Sequence, residues 1–196
     1  MTEKKSIQLR FGVIALMLLL AAFSRLIPHP YNFTPIGAMA LFGAAYFSQR
    51  RYLAFAIPII SMWLSDLVLN NVVYGQHFDH FVWFYQGFYW TYGAFVLIGW
   101  IGIVLLKKVN VQYLVLAILM ASIVFFLVSN FGVWVSTNMY PKNMSGLMAC
   151  FTAGLPFFKN TLMGDLLYTT VLFGVFELAQ NTFSTFRLQT TNIIKT

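Results

Sequence analysis

Six apolar runs, near residues 9–27, 34–49, 52–70, 89–106, 112–135 and 161–181, decide what this chain can fold into. A helix that crosses a bilayer needs roughly 20 apolar residues, fewer where protein shields it. Lipid holds no water to satisfy loose backbone groups, so the runs are predicted to be helical. The expected fold is all-α, an integral membrane bundle of about six transmembrane helices forming a single domain over 1–196. Composition agrees. The chain is 60% hydrophobic and 9% charged, against about 25% charged in soluble domains. A chain of 196 residues cannot hide that much apolar surface in one aqueous core.

A formal charge of +7 would fit nucleic acid if the basic residues formed a stripe with base-stacking aromatics. They sit instead in small groups between apolar runs, so the partner is the lipid bilayer and not nucleic acid. The first run, with its basic start and small Ala21 and Ala22, also fits a cleaved signal peptide. Removing it would leave five spans and spoil the charge alternation. That alternation is regular. Lys4, Lys5, Arg10, Arg50, Arg51, Lys107, Lys108, Arg187 and Lys195 fall on one side, and Arg25, Lys142 and Lys159 on the other. The positive-inside rule places both termini in the cytoplasm.

The inner turns, "SQRR" and "KKVN", are short. The outer segments, 28–32, 71–88 and 136–160, are longer and chemically varied. The last contains "GLMACFTAGLPFF", too short to span and too apolar for water, and is expected to be a re-entrant or interfacial segment. In the first outer segment, Thr34 before Pro35 reads as a helix start, with Thr34 as cap. Beyond it, Gly37, Ala40, Gly43 and Ala44 form a small-residue face that lets another helix approach closely. The approaching helix is either one of this chain's own or one of a separate membrane subunit.

Ionisable groups at membrane depth are costly and mark functional sites. Asp66 lies near the outer end of the third run and Asp165 near the outer start of the sixth. Asp165 would complement its own helix's N-terminus, capped by Asn160 or Thr161. Asp66, at a helix C-terminus, needs a cation, and Arg25 and Lys159 both lie at its expected depth. Arg25 is predicted to neutralise Asp66, Asp165 or both. Glu177 should meet solvent or Arg187 at the inner interface. His77, Asp79 and His80 have spacing that could ligate a metal, but no Cys supports them. The aromatics around them, such as Trp83, Tyr85 and Trp90, form either an interfacial belt or the wall of a pocket for a flat organic molecule. The lone Cys150 excludes an intramolecular disulfide and a Cys-rich metal site. Neither nucleotide-binding nor hydrolase nor zinc-protease motifs occur. No enzyme activity, cofactor or metal is therefore expected.

The stretches "SRLIPHPYNFTPIGAMALFGAAYF", "SDLVLNN", "SNFGVWVSTNMYP", "GLMACFTAGLPFFKNTLMGDLLY" and "LFGVFELA" resemble a group of small bacterial membrane proteins of unknown function. That group in turn looks like the S components of energy-coupling factor (ECF) vitamin transporters. The resemblance implies a bacterial cytoplasmic membrane, capture of a vitamin-like solute from outside, and ECF-type coupling and ATPase subunits as partners. In S components a small-residue pattern on the first helix contacts the coupling subunit. Here the match, Ala40 and Ala44, falls on the second predicted helix.

The leading expectation is a membrane substrate-binding protein that captures a small organic solute at its outer face. The candidate pocket residues are Arg25, His29, Asn32, Asp66, His77, Asp79, His80, Asn130, Trp134, Tyr140, Asn160 and Asp165. The rival is a membrane assembly or scaffold protein that binds another subunit and no small molecule.

Overall fold

The segment "IGAMALFGAAY" has no polar face, and a helix that is apolar all round belongs inside protein or in lipid. The computed structural model, which describes residues 3–47 and 50–183, places it at the centre of the bundle. This helix, α2 (Ile36–Tyr46), touches all five others: α1 (Glu3–Phe23), α3 (Arg51–Val68), α4 (Phe88–Leu105), α5 (Val111–Ser136) and α6 (Met144–Thr182). Those five close a ring around it in the order α1, α3, α4, α5, α6 and back to α1. All described elements are helical, and the five ring helices are long and apolar enough to cross a membrane.

The centre differs from the expectation of six spans. At 1.5 Å per residue, the eleven residues of α2 reach only about 17 Å, half of a hydrocarbon core of about 30 Å. The segment 27–35 therefore descends into the bundle to meet it, with Thr34 against Gly164 of α6. Helix α6 differs in the opposite direction. Residues 144–160 are not re-entrant. They continue without a break into 161–182, giving one helix of 39 residues that runs through Pro156. It starts at Asn143, whose side chain accepts from Gly146 N–H at 2.9 Å. Neither Asn160 nor Thr161 caps anything, because both lie inside this helix.

Small residues let α2 sit so deep, because close van der Waals packing rather than the hydrophobic effect joins helices in lipid. A Cβ on Gly43 would lie 2.6 Å from Pro58 Cγ in α3. Ala44 packs against Gly102 of α4, where a Cβ would come within 2.7 Å. Gly37, Ala40, Gly43 and Ala44 are all buried inside this chain. The small-residue face is thus consumed internally and is not presented to a separate subunit. The ring of Phe42 meets Tyr46, Phe173 and Phe176 at 4.8, 5.3 and 5.7 Å.

One end of the bundle carries Arg10, Arg50, Arg51, Lys107 and Lys108, and we call it the basic end. Arg187 and Lys195 lie outside the described residues. At the basic end Arg10 donates to Gln180 at 3.0 Å, which brings the first and last helices together. Glu177 accepts from Tyr46 Oη at 2.5 Å, a partner inside the bundle that the expectation of solvent or Arg187 did not include. The opposite end holds the polar connections and is the loop end.

Helix α2 starts inside protein, and its first N–H groups need acceptors there. Pro35 at the cap position supplies no side-chain bond, and Thr34 does not cap. The acceptor comes from another helix. Asp165 of α6 takes the backbone N–H groups of Gly37 and Ala38, and Ser122 of α5 donates to it at 2.7 Å. A Cβ on Gly37 would stand 2.4 Å from Asp165 Oδ1, so only glycine admits the carboxyl group. Gly37→Ala should cost about 1–3 kcal/mol through overpacking. Asp165→Ala should cost about 2–5 kcal/mol by orphaning buried donors. In the double variant the added methyl has room, so thermal unfolding in bicelles should give less than the sum of the two losses.

Candidate functional site

Three neighbouring lobes open at the loop end, and Thr91 near the start of α4 lines all of them. The largest, of about 430 Å³, lies against the α5–α6 hairpin, between Tyr31 and Asn32 on one side and Asn130, Tyr140 and Phe157 on the other. A second, of about 290 Å³, reaches toward the centre along Arg25, Asn32, Thr34, Asp66, Asn70 and Tyr85. The third, of about 230 Å³, runs beside Tyr85, Gln86, Trp90 and Ser136.

The segment before α2 forms one wall. Asn32 has φ 61°, a left-handed conformation that Asn tolerates better than most residues. Its neighbours are pinned to α6. Asn160 donates to Tyr31 C=O at 2.9 Å, and the Tyr31 ring meets Phe157 edge-on at 6.4 Å. The backbone of Thr34 lies so close to α6 that a Cβ on Gly164 would come within 3.0 Å of Thr34 N.

The end of α3 forms the floor. Arg25, in the short 3-10 turn that ends α1, donates through Nη1 to Asp66 at 2.6 Å and to Ser65 at 2.9 Å. Tyr92 donates to the other oxygen of Asp66 at 2.7 Å. Side-chain exposure is 12% for Arg25 and 5% for Asp66, so the pair is withdrawn from solvent. After Val68 the helix loosens into a π turn, Leu69–Val73, closed by Tyr74 N–H on Leu69 C=O at 2.8 Å. Such turns recur at functional sites because they redirect side chains. This one leaves Asn70 buried and lining the central lobe.

The segment 74–87 closes the other side. Asn71 anchors it, donating to Val82 C=O at 2.9 Å and accepting from Val82 N–H at 2.7 Å. Trp63 donates to Trp83 C=O at 3.3 Å and stacks on its ring. Phe81, Trp83 and Phe84 are exposed. Tyr85 turns inward, hydrogen-bonded to Thr91, and burial pushes its hydroxyl up to about 12, keeping it protonated at neutral pH.

Of the residues singled out in the sequence, Arg25, Asn32, Asp66, Asn130 and Tyr140 line the lobes. The others serve elsewhere. His29 is exposed, its ring against Pro30 C=O at 3.0 Å. His77, Asp79 and His80 are exposed on segment 74–87 and line none of the three lobes. Among the described residues, no group of three or more His, Cys, Asp or Glu side chains is placed to hold a metal ion. Trp134 donates to Pro141 C=O at 2.9 Å and braces the hairpin. Asn160 fixes the wall through its bond to Tyr31. Asp165 meets the α2 N-terminus and not Arg25. Sequence reading missed Asn70, Thr91 and Ser129. For Asn70 a signal existed, because it stands four residues after Asp66 and so shares its helix face.

Removing Arg25 alone would strand the Asp66 charge. Arg25→Leu should destabilise the protein by about 3–5 kcal/mol. Adding Asp66→Leu should recover part of that loss in a double-mutant cycle of thermal unfolding. A double loss equal to the sum would show that the pair contributes nothing.

Residues 5–188 match a family described as a family of unknown function (DUF6580). No curated protein and no solved structure matches. The match spans nearly the whole chain, which therefore belongs to the family of unknown function DUF6580.

Proposed function

We propose that this membrane-embedded helical bundle binds a small organic solute in the cleft at its loop end. The observation that carries this reading is the meeting of three lobes at Thr91, above a buried ion pair. Sites for small molecules are concave, mostly apolar, and carry a few placed polar groups. The largest lobe fits that description, with Phe125, Val133, Met139 and Phe157 beside Asn32, Ser129 and Asn130. Its walls are held by hydrogen bonds, so binding needs little ordering of the protein.

The loop end faces the outside of a bacterial cytoplasmic membrane in this reading, and both termini are cytoplasmic. The charge distribution supports it, since the basic residues gather at the opposite end. The role is capture rather than catalysis. Moving the solute across the membrane requires other subunits, of the coupling and ATPase kind that the likeness to ECF S components implies. Because α2 keeps its small residues inside, such subunits would meet the flanks of the ring helices.

Two measurements test these points. Native mass spectrometry of gently solubilised protein should show a bound solute that is lost in Thr91→Trp, which fills the meeting point of the lobes, while thermal unfolding stays cooperative. Equal adducts in both proteins, or none in the wild type, would reject the cleft as a binding site. Single cysteines placed at Tyr140 and Lys108 in a Cys150→Ala background test orientation. An impermeant thiol reagent should label the first from outside and spare the second, and the reverse pattern would invert the topology.

A further inference from the structure

We infer that Phe81, Trp83 and Phe84 form an aromatic wedge seated in lipid, at the boundary of headgroups and acyl chains in the leaflet at the loop end. The segment 74–87 is then a membrane-contact surface that dips below the level of a water-exposed loop, and its partner is the phospholipid itself. This surface is independent of whether the cleft binds a solute.

Depth is the first ground, and two helices measure it. Helix α4 has 18 residues and ends at Leu105, just before Lys107 and Lys108 of the basic end. At 1.5 Å per residue it spans about 27 Å, a little less than a hydrocarbon core of about 30 Å. With Leu105 at one boundary, Phe88 stands no higher than the other, and the chain just before it arrives from that depth. Helix α3 agrees. The Trp63 indole donates to Trp83 C=O at 3.3 Å and lies against the rings of Trp83 and Phe84 at 6.4 and 6.3 Å. Trp63 precedes the end of α3 at Val68 by five residues, about 7.5 Å along the axis. Side chains on a helix lean toward its N-terminus, so the ring reaches lower still. After residues 77–80 the chain therefore runs back down the outside of α3.

Chemistry is the second ground. Non-helical backbone persists at membrane depth only where protein groups answer its N–H and C=O. Asn71 answers both polar groups of Val82, accepting from its N–H at 2.7 Å and donating to its C=O at 2.9 Å. Trp63 answers Trp83 C=O. Phe88 N–H closes on Tyr85 C=O at 3.1 Å, and Trp90 N–H on Gly87 C=O at 3.0 Å. The side chains divide in the same sense. Val82 is buried, and Tyr85 lines the cleft. Phe81, Trp83 and Phe84 are 54, 58 and 53% exposed, and Tyr89 on the first turn of α4 extends the surface at 54%. His77, Asp79 and His80 all come before these rings, so the polar part of the segment and the aromatic part are separate. Broad rings of this kind settle where acyl chains meet headgroups. Residues 74–87 contain no Lys or Arg, so the surface has no cation with which to select anionic lipid.

Nitroxide labels read the depth directly. Phe81→Cys, Phe84→Cys and Leu97→Cys are made separately in a Cys150→Ala background, spin-labelled, and reconstituted as the full chain in phosphatidylcholine vesicles. Leu97 is exposed midway along α4 and serves as the lipid reference. Power-saturation EPR compares collisions with oxygen, which concentrates in lipid, and with a water-soluble nickel chelate. Labels at 81 and 84 should collide more with oxygen than with nickel, with a ratio shifted toward that of the Leu97 label. Nickel collisions that outnumber oxygen collisions at either position would overturn the inference, because the wedge would stand in water. Labels shielded from both reagents would also overturn it, because a second copy of the chain would then cover this face. Each substitution replaces an exposed ring, and the two positions are read in separate proteins, so one variant that fails to fold leaves the other to decide.

Discussion

The α2 helix begins in the interior of a membrane bundle, where its first N–H groups can reach no water, and the carboxyl group of Asp165 supplies the acceptor. The rest of the architecture follows from that contact. Gly37 must be glycine, because a methyl there would collide with the carboxyl group. Ser122 must stand across from it on α5, where it donates a further hydrogen bond. With its cap fixed on α6, α2 cannot rise to the level of the loop end. The chain from Ile27 to Pro35 has to descend to it, pressed against α6 at Gly164. A short central helix and a long hairpin beside it leave space above α2, and that space is the cleft.

Electrostatics divides this end of the molecule into two jobs that look alike in the sequence. Asp165 sits under the cleft and holds backbone. Asp66 sits at its edge and holds Arg25, with Tyr92 on its second oxygen. Both acids are buried, but one is answered by a helix N-terminus and the other by a cation. The second arrangement cancels its charge within the wall of the cleft. The site consequently presents hydrogen-bonding groups without a net field.

Much of this was legible in the chain itself. Runs with so little charge gave away a helical membrane bundle, and the basic pairs at Arg50 and Lys107 marked its turns. The Arg25–Asp66 pair followed from an acid at a helix C-terminus that needed a cation. What was hidden has a common cause: pattern reports the faces of a helix, not which neighbour meets them. The apolar stretch around α2 was long enough to pass for a span, and only the contact with Asp165 shows where the helix starts. "GLMACFTAGLPFF" contains a proline and falls short of a full span, so it read as a separate segment. Its unbroken continuation into α6 lies along α5, where Asn130 fills the space beside Gly154. The histidines of 77–80 drew attention as chemistry-bearing groups, but the anchoring of this segment runs through Asn71, Trp63 and Val82, and it is Tyr85 that turns inward.

Backbone amide exchange tests the capping contact most directly. Residue-resolved hydrogen–deuterium exchange should find the Gly37 and Ala38 amides strongly protected in the wild type, although they lie in the first turn of their helix. In Asp165→Ala that protection should fall at these two residues first, while Phe42 and Ala44 deeper in α2 keep theirs. Equal protection of Gly37 and Ala38 in both proteins would contradict the account, because it would mean that something other than Asp165 holds the start of the central helix.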